Sequence, residues 1–145
     1  MSETATIAIT TTLRAREDVA EGTMAFHFDK PTGFAFKAGQ AVELLIADPA
    51  GGANDVGHAF SIVSAPFEGE LVIATRMRDS AYKRALKAMR PGAKVRLDGP
   101  FGSLTLHNKR ARAAVLIAGG IGITPFMSMI RQAAHERLAQ PIALA

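Results

Sequence analysis

Apolar and polar residues alternate with a period of two through most of the first hundred positions, which is the pattern of half-buried strands. In residues 22–29 (GTMAFHFD), Met24, Phe26 and Phe28 fall on one face, and Ala25, His27 and Asp29 on the other. Residues 40–47 repeat the pattern with Val42, Leu44 and Ile46, and residues 70–77 do so with Leu71, Ile73, Thr75 and Met77. Residues 93–97 are a shorter case. Gly33, residues 48–57, residues 66–69 and Pro91-Gly92 lie between these runs and supply turns. Several short strands at close spacing predict an antiparallel barrel or sandwich. One helix interrupts them: Ser80 is placed to cap a run in which Tyr82, Leu86 and Met89 recur at helical spacing, with Lys83, Arg84 and Lys87 facing elsewhere.

The pattern changes after Arg112. Residues 113–118 form a continuous apolar run, as expected of a strand covered on both faces in a parallel sheet. Thr124 as N-cap and Pro125 at the first helical position predict a helix to about Leu138, and residues 141–145 read as a second strand. The uncharged stretch 113–130 is thus read as strand, glycine loop and helix start, and its three glycines and Pro125 argue against a membrane span. The polar connector 107–112 (HNKRAR) divides two kinds of core, giving units of 1–110 and 111–145. Strand, helix and strand are only the first unit of a doubly wound domain, so the chain is read as a fragment.

Composition narrows the function classes. With 145 residues, 48% hydrophobic and 21% charged, the chain can bury a core and is not a disordered tail. It has no cysteine, which excludes disulfides, Cys-ligated zinc or iron–sulfur clusters and a thiol nucleophile within these residues. His27, His107 and His135 lack metal-ligand spacing, so no metal site is expected. Met24, Met77, Met89, Met127 and Met129 read as core filler. No basic and apolar leader opens the sequence, and a cytoplasmic location is expected. Charge is unevenly spread: residues 1–75 carry 4 Lys/Arg against 10 Asp/Glu, whereas residues 76–145 carry 13 against 3. That basic half is either a solvated face or an attractor of phosphates or an acidic partner.

The strongest local chemical feature is Ala118-Gly119-Gly120-Ile121-Gly122-Ile123-Thr124-Pro125. An apolar strand runs into glycines and then a helix start, where Gly120 and Gly122 let backbone approach a phosphate and the helix dipole favours its charge. The pattern lacks the third glycine of the usual dinucleotide fingerprint, and a tight strand-to-helix turn is the alternative reading.

Several ordered blocks resemble the ferredoxin-NADP reductase-like flavoproteins. Phe36-Lys37-Ala38-Gly39-Gln40 is similar to that family's F-x-P-G-Q, and His58-Ala59-Phe60-Ser61-Ile62-Val63-Ser64 to its flavin-binding R-x-Y-S-I-x-S. Arg78-Asp79-Ser80-Ala81-Tyr82 sits where its phosphate loop opens a helix. Pro91-Gly92 and Gly99-Pro100-Phe101-Gly102 follow, and residues 119–128 (GGIGITPFMS) resemble its G-x-G-I-T-P-x-x-S loop. The fold this implies is a six-stranded antiparallel flavin-binding β-barrel, followed by the first β-α-β unit of a parallel nucleotide-binding domain.

The resemblance implies FAD as cofactor and NAD(P)H as co-substrate, with hydride transfer from nicotinamide to flavin and electrons passed onward. Carried over by position, His58, Phe60, Ser61, Ser64, Thr75, Arg78, Ser80 and Ala81 would contact flavin, with Ser61 near the reacting N5 as the catalytic candidate. Gly120, Gly122, Thr124 and Pro125 would form the nicotinamide-nucleotide loop. His58 stands where the family has arginine, losing a bidentate phosphate fork, and Arg76, Arg78 or Arg84 are candidates to compensate. Phe60 replaces tyrosine, keeping the ring and removing a hydroxyl.

The implied partners are a nicotinamide dinucleotide and an acidic electron-transfer protein such as a ferredoxin, with no nucleic acid and no membrane. Unpaired strand edges at 113–118 and 141–145 would permit self-association. The competing reading is a flavin-free basic barrel that binds an acidic protein or nucleic acid. Tyr82, Phe101 and Phe126 are few aromatics for stacking bases.

Overall fold

A computed structural model describes residues 8–145, and the reading of the N-terminal leader therefore falls largely outside the described residues. Six strands come first: β1 (Ile9–Ala20), β2 (Thr23–Asp29), β3 (Ala41–Ile46), β4 (Val56–Ser61), β5 (Glu70–Arg76) and β6 (Lys94–Phe101). A single helix, α1 (Ala81–Ala88), lies between β5 and β6. The strands form one antiparallel sheet in the order β4-β3-β6-β1-β2-β5. Its two outer strands meet where Ile62 bridges Ile73 and Val63 N–H donates to Val72 O at 2.8 Å, which curls the sheet into a barrel.

The strands that alternation predicts are present within a residue or two, with β6 running on to Phe101. The long β1 was not singled out by the pattern, because beyond Leu13 it is exposed and alternates poorly. It pairs with β6 through residues 9–12 and then with β2 through residues 13–20, and register shifts accompany its bend. The barrel core is chiefly apolar: Leu13, Phe26, Phe28, Leu44, Ile62, Leu71, Ile73, Leu86 and Leu97 are fully buried, each contributing about 1.5–3 kcal/mol.

Two positions outside the strands fix the frame. Gly39, at φ +102°, lies so close to the loop after β6 that an added Cβ would fall 1.8 Å from Leu104 O, so only glycine fits. Tyr82 is buried and donates its hydroxyl to Leu44 O at 2.7 Å, pinning α1 to β3. Burial raises the Tyr82 phenol well above its usual range, so it stays a neutral donor.

After the barrel come β7 (Ala114–Leu116), a 3-10 turn (Gly120–Ile123), α2 (Thr124–His135) and β8 (Ile142–Leu144), with β7 and β8 parallel. Three expectations change here. The strand is not covered on both faces: Ala114 and Leu116 are buried, whereas Val115 is 66% and Ile117 77% exposed, because none of the described elements packs over that side. Thr124 is not the N-cap; the 3-10 turn leads directly into α2, so Ile123 occupies the cap position and Thr124 is already helical. Finally, α2 stops at His135 rather than near Leu138. Arg137 adopts φ +53°, and the amides of Arg137 and Leu138 close back on Ala134 O and Ala133 O. Among the described residues no helix is long and apolar enough to cross a membrane.

Helix α2 is tied to the barrel. The buried Ser128 hydroxyl donates to Ser64 O at 2.7 Å, Phe67 N–H donates to Gln132 Oε1 at 3.0 Å, and Arg131 pairs with Glu68 at 2.9 Å. The Phe67 and His135 rings stack with centroids 3.9 Å apart.

Candidate functional site

Strand β4 brings His58 and Phe60 to one end of α1, and the end of β5 brings Thr75 and Arg76. Ser80 begins α1 as expected: with its own backbone extended, its hydroxyl accepts from Lys83 N–H at 3.2 Å, a capping bond. Ala81 follows on an exposed first turn, and Ser61 is half-buried at the end of β4.

Phe60, only 8% exposed, is the hub of a small aromatic group. Its ring centroid lies 6.2 Å from Tyr82 and 6.5 Å from His58, and the exposed His58 stacks nearly parallel on Tyr82 at 4.0 Å. Lys83 Nζ sits over the Phe60 ring, 5.1 Å from its centroid, and donates to Thr75 Oγ1. Partial burial, and then the nearby Arg78 cation, hold the Lys83 ammonium below its usual pKa. Helical spacing puts Lys83 off the apolar stripe with Arg84 and Lys87, and its three-residue spacing from Ser80 is the one sequence signal that marks it.

Thr75, Arg76, Arg78 and Lys83 line one wall of a cleft of about 570 Å³ whose other wall is Gly119, Gly120 and Ile121. The β5–α1 junction and the glycine loop, separate in sequence, therefore face each other. None of the ion pairs among the described residues involves Arg76, Arg78 or Lys83, whereas Arg84 turns away to Asp79. Gly120 adopts φ +55°, and a Cβ added at Gly119, Gly120 or Gly122 would meet nothing within 4 Å. Packing does not explain the bare backbone at 119 and 122. Three cations without carboxylate partners, opposite bare backbone, suit a ligand bearing phosphates, and the volume is within the usual range for small-molecule sites.

Not every expected site residue reaches this cleft. Ser64 is fully buried, its hydroxyl accepting from Val72 N–H at 2.9 Å and its carbonyl from Ser128, so it belongs to the joint with α2 and not to a ligand surface. Thr124 and Pro125 are buried behind the glycine loop. Thr124 instead borders a second, larger cleft of about 620 Å³ beside β1, β2 and β5, where His27 bridges Glu17 at 2.9 Å and Glu70 at 3.1 Å. That cleft adjoins the first, sharing Arg76, Gly120 and Ile121 with it, but Glu17, Glu21, Glu68 and Glu70 outnumber its Arg76 and Arg131, and this balance disfavours phosphate there. Among the described residues no group of three or more His, Cys, Asp or Glu is arranged to hold a metal.

Solved structures share this architecture. A ferredoxin-NADP+ reductase from Neisseria gonorrhoeae, with bound FAD and NADP, superposes at a TM-score of 0.81 with 22% identity, covering 94% of this chain and 56% of that one. The chain has the ferredoxin-NADP reductase-like fold. It is an FAD-binding-type barrel joined to the start of a nucleotide-binding-type sheet, as the ordered sequence blocks imply. Among curated proteins, this ferredoxin-NADP reductase-like chain is 35% identical over 108 residues to ferredoxin-NADP reductase B of Sorangium cellulosum, covering 72% of the chain and 43% of that protein. It is 33% identical over 123 residues to dual oxidase 1 of Canis lupus familiaris, covering 79% of the chain and 8% of that protein. The chain thus spans less than half the length of either relative. No family model matches it.

Proposed function

We propose that the chain is the flavin-binding part of an FAD-dependent NAD(P)H oxidoreductase, with residues 1–110 as the flavin barrel and 111–145 as the opening of the nucleotide domain. The observation that carries this reading is the cleft in which the unpaired cations of the β5–α1 junction face the bare glycine loop. The relative that bears a reductase name and the neighbour solved with FAD and NADP support it.

FAD, when bound, supplies the hydride-accepting ring, and the protein binds and orients it. Phe60 offers an apolar ring face, Ser61 a hydroxyl beside it, and Thr75 a second hydroxyl on the adjoining strand. Ser80 spends its side chain on capping, so the first-turn amides near Ala81 are what α1 offers an anion. Gly120 presents backbone to a nicotinamide dinucleotide across the cleft, with the exposed Gly122 beside it in the loop. The basic residues of the second half suit an acidic acceptor protein such as a ferredoxin, in the reducing cytoplasm where a nicotinamide donor is available.

The test is the visible spectrum of the purified 145-residue chain after incubation with FAD and desalting. A retained flavin spectrum is expected. A colourless protein that is folded by circular dichroism overturns the reading and favours the flavin-free basic module.

A further inference from the structure

The family pattern puts an arginine at position 58, and this chain has a histidine there whose ring lies flat on Tyr82. A stacked imidazole has neither the reach nor the planar fork of the missing guanidinium. Arg84, one of the three arginines that sequence offered as a substitute, is paired with Asp79. Lys83 is the cation that the fold brings to the same aromatic hub. It stands 5.1 Å over Phe60, the ring that His58 flanks from 6.5 Å.

We infer that Lys83, from the first turns of α1, takes over the anion-holding role that position 58 has lost, and binds the pyrophosphate of a dinucleotide together with Arg78. Three observations carry this. Lys83 is preorganised: one ammonium proton is held by Thr75 Oγ1 and the charge by the Phe60 face, which leaves two protons for a ligand. The Thr75 hydroxyl, accepting from Lys83, keeps its own proton to donate into the same cleft. The partly buried Lys83 and the exposed Arg76 and Arg78 are like charges brought together in one wall with no carboxylate partner, an arrangement whose repulsion a pyrophosphate dianion relieves. The inference rests on the dinucleotide reading above, and it leaves the source of the pyrophosphate, FAD or NAD(P)H, to experiment because both wall and loop face the cleft.

The experiment measures binding of FAD, NADH, NADPH and inorganic pyrophosphate to the wild-type chain and to Lys83→Gln, Lys83→Arg, Arg84→Gln and the double variant His58→Arg with Lys83→Gln. Titration calorimetry at two salt concentrations gives the affinities, and circular dichroism checks each fold. Lys83→Gln is expected to weaken the ligand about tenfold or more and to flatten the salt dependence. Lys83→Arg should retain most of the affinity, Arg84→Gln should match wild type, and His58→Arg should restore what Lys83→Gln loses. Which dinucleotide shows the pattern identifies the source. A folded Lys83→Gln that binds every probe as wild type does overturns the inference. A wild-type chain that retains no FAD yet binds pyrophosphate through Lys83 upholds the cation site and overturns the flavin reading. Binding of neither probe overturns both.

Discussion

A lysine on a short amphipathic helix is ordinarily a solvated charge, and Lys83 departs from that because the β5–α1 junction folds it onto Phe60. Its environment leaves a stability signature. Burial first, and Arg78 second, lower its folded pKa below the ordinary 10.5, so the folded state binds the proton less tightly than the unfolded one. The penalty is fully present at neutral pH, below the folded pKa, and is relieved as pH rises toward 10.5. Thermal melts of wild type and Lys83→Gln between neutral and alkaline pH should therefore show wild type gaining stability relative to the variant. A difference in Tm that stays constant with pH would show that Lys83 is solvated like any surface lysine. Arg14 and Asp29 form the opposite case: the bond from Arg14 lowers the Asp29 carboxyl, but both are open to solvent and little stability follows.

Among elements, α1 has the clearest local instructions. Ser80 closes its first turn, Met89 leaves helical geometry, and Pro91-Gly92 turn the chain into β6. Replacement Ser80→Ala removes the acceptor for Lys83 N–H and is expected to cost about 1 kcal/mol in urea unfolding. The same change should weaken dinucleotide binding, since α1 carries both Lys83 and the exposed first-turn amides. An unaltered unfolding midpoint would mean that α1 is held by Tyr82 and Leu86 alone. The second helix shows how neighbours override a local signal. Thr124-Pro125 reads as cap and first turn, yet the glycines ahead of it wind into a 3-10 turn and start the helical backbone earlier.

Across the whole molecule, barrel and α2 meet through groups with no visible pairing in the sequence. Ser64 joins them twice over, accepting from Val72 N–H within the barrel and from Ser128 Oγ across the joint. Both serines are fully buried, so Ser128→Ala strands a carbonyl and should cost about 1–3 kcal/mol. Hydrogen exchange should quicken in α2 while β2 and β5 stay protected; uniform acceleration would mean that the joint and the barrel unfold as one unit. The exposed pair Arg131–Glu68 contributes at most about 1 kcal/mol to the same joint. Because the glycine loop leads into α2, this joint also sets the width of the cleft opposite Lys83.

Alternation with a period of two determined β2, β3 and β5, since burying one face of a strand leaves its mark on every second residue. Ser80, the glycine loop and the ordered family blocks likewise stood in the sequence, because caps and turns depend on residue type over a few positions. Long β1 escaped because its outer half is exposed, and the open face of β7 escaped because an apolar residue does not reveal whether anything covers it. Only the tertiary structure decided which charges matter. It withdrew Ser64 into the joint, spent Arg84 on Asp79 and laid His58 on Tyr82. It then gathered Arg76, Arg78 and Lys83 opposite Gly120. The reason is physical: a charge's partners lie within a few ångströms in space, and the cations of the β5–α1 junction come to face the glycine loop, far along the chain, only when α2 docks on the barrel.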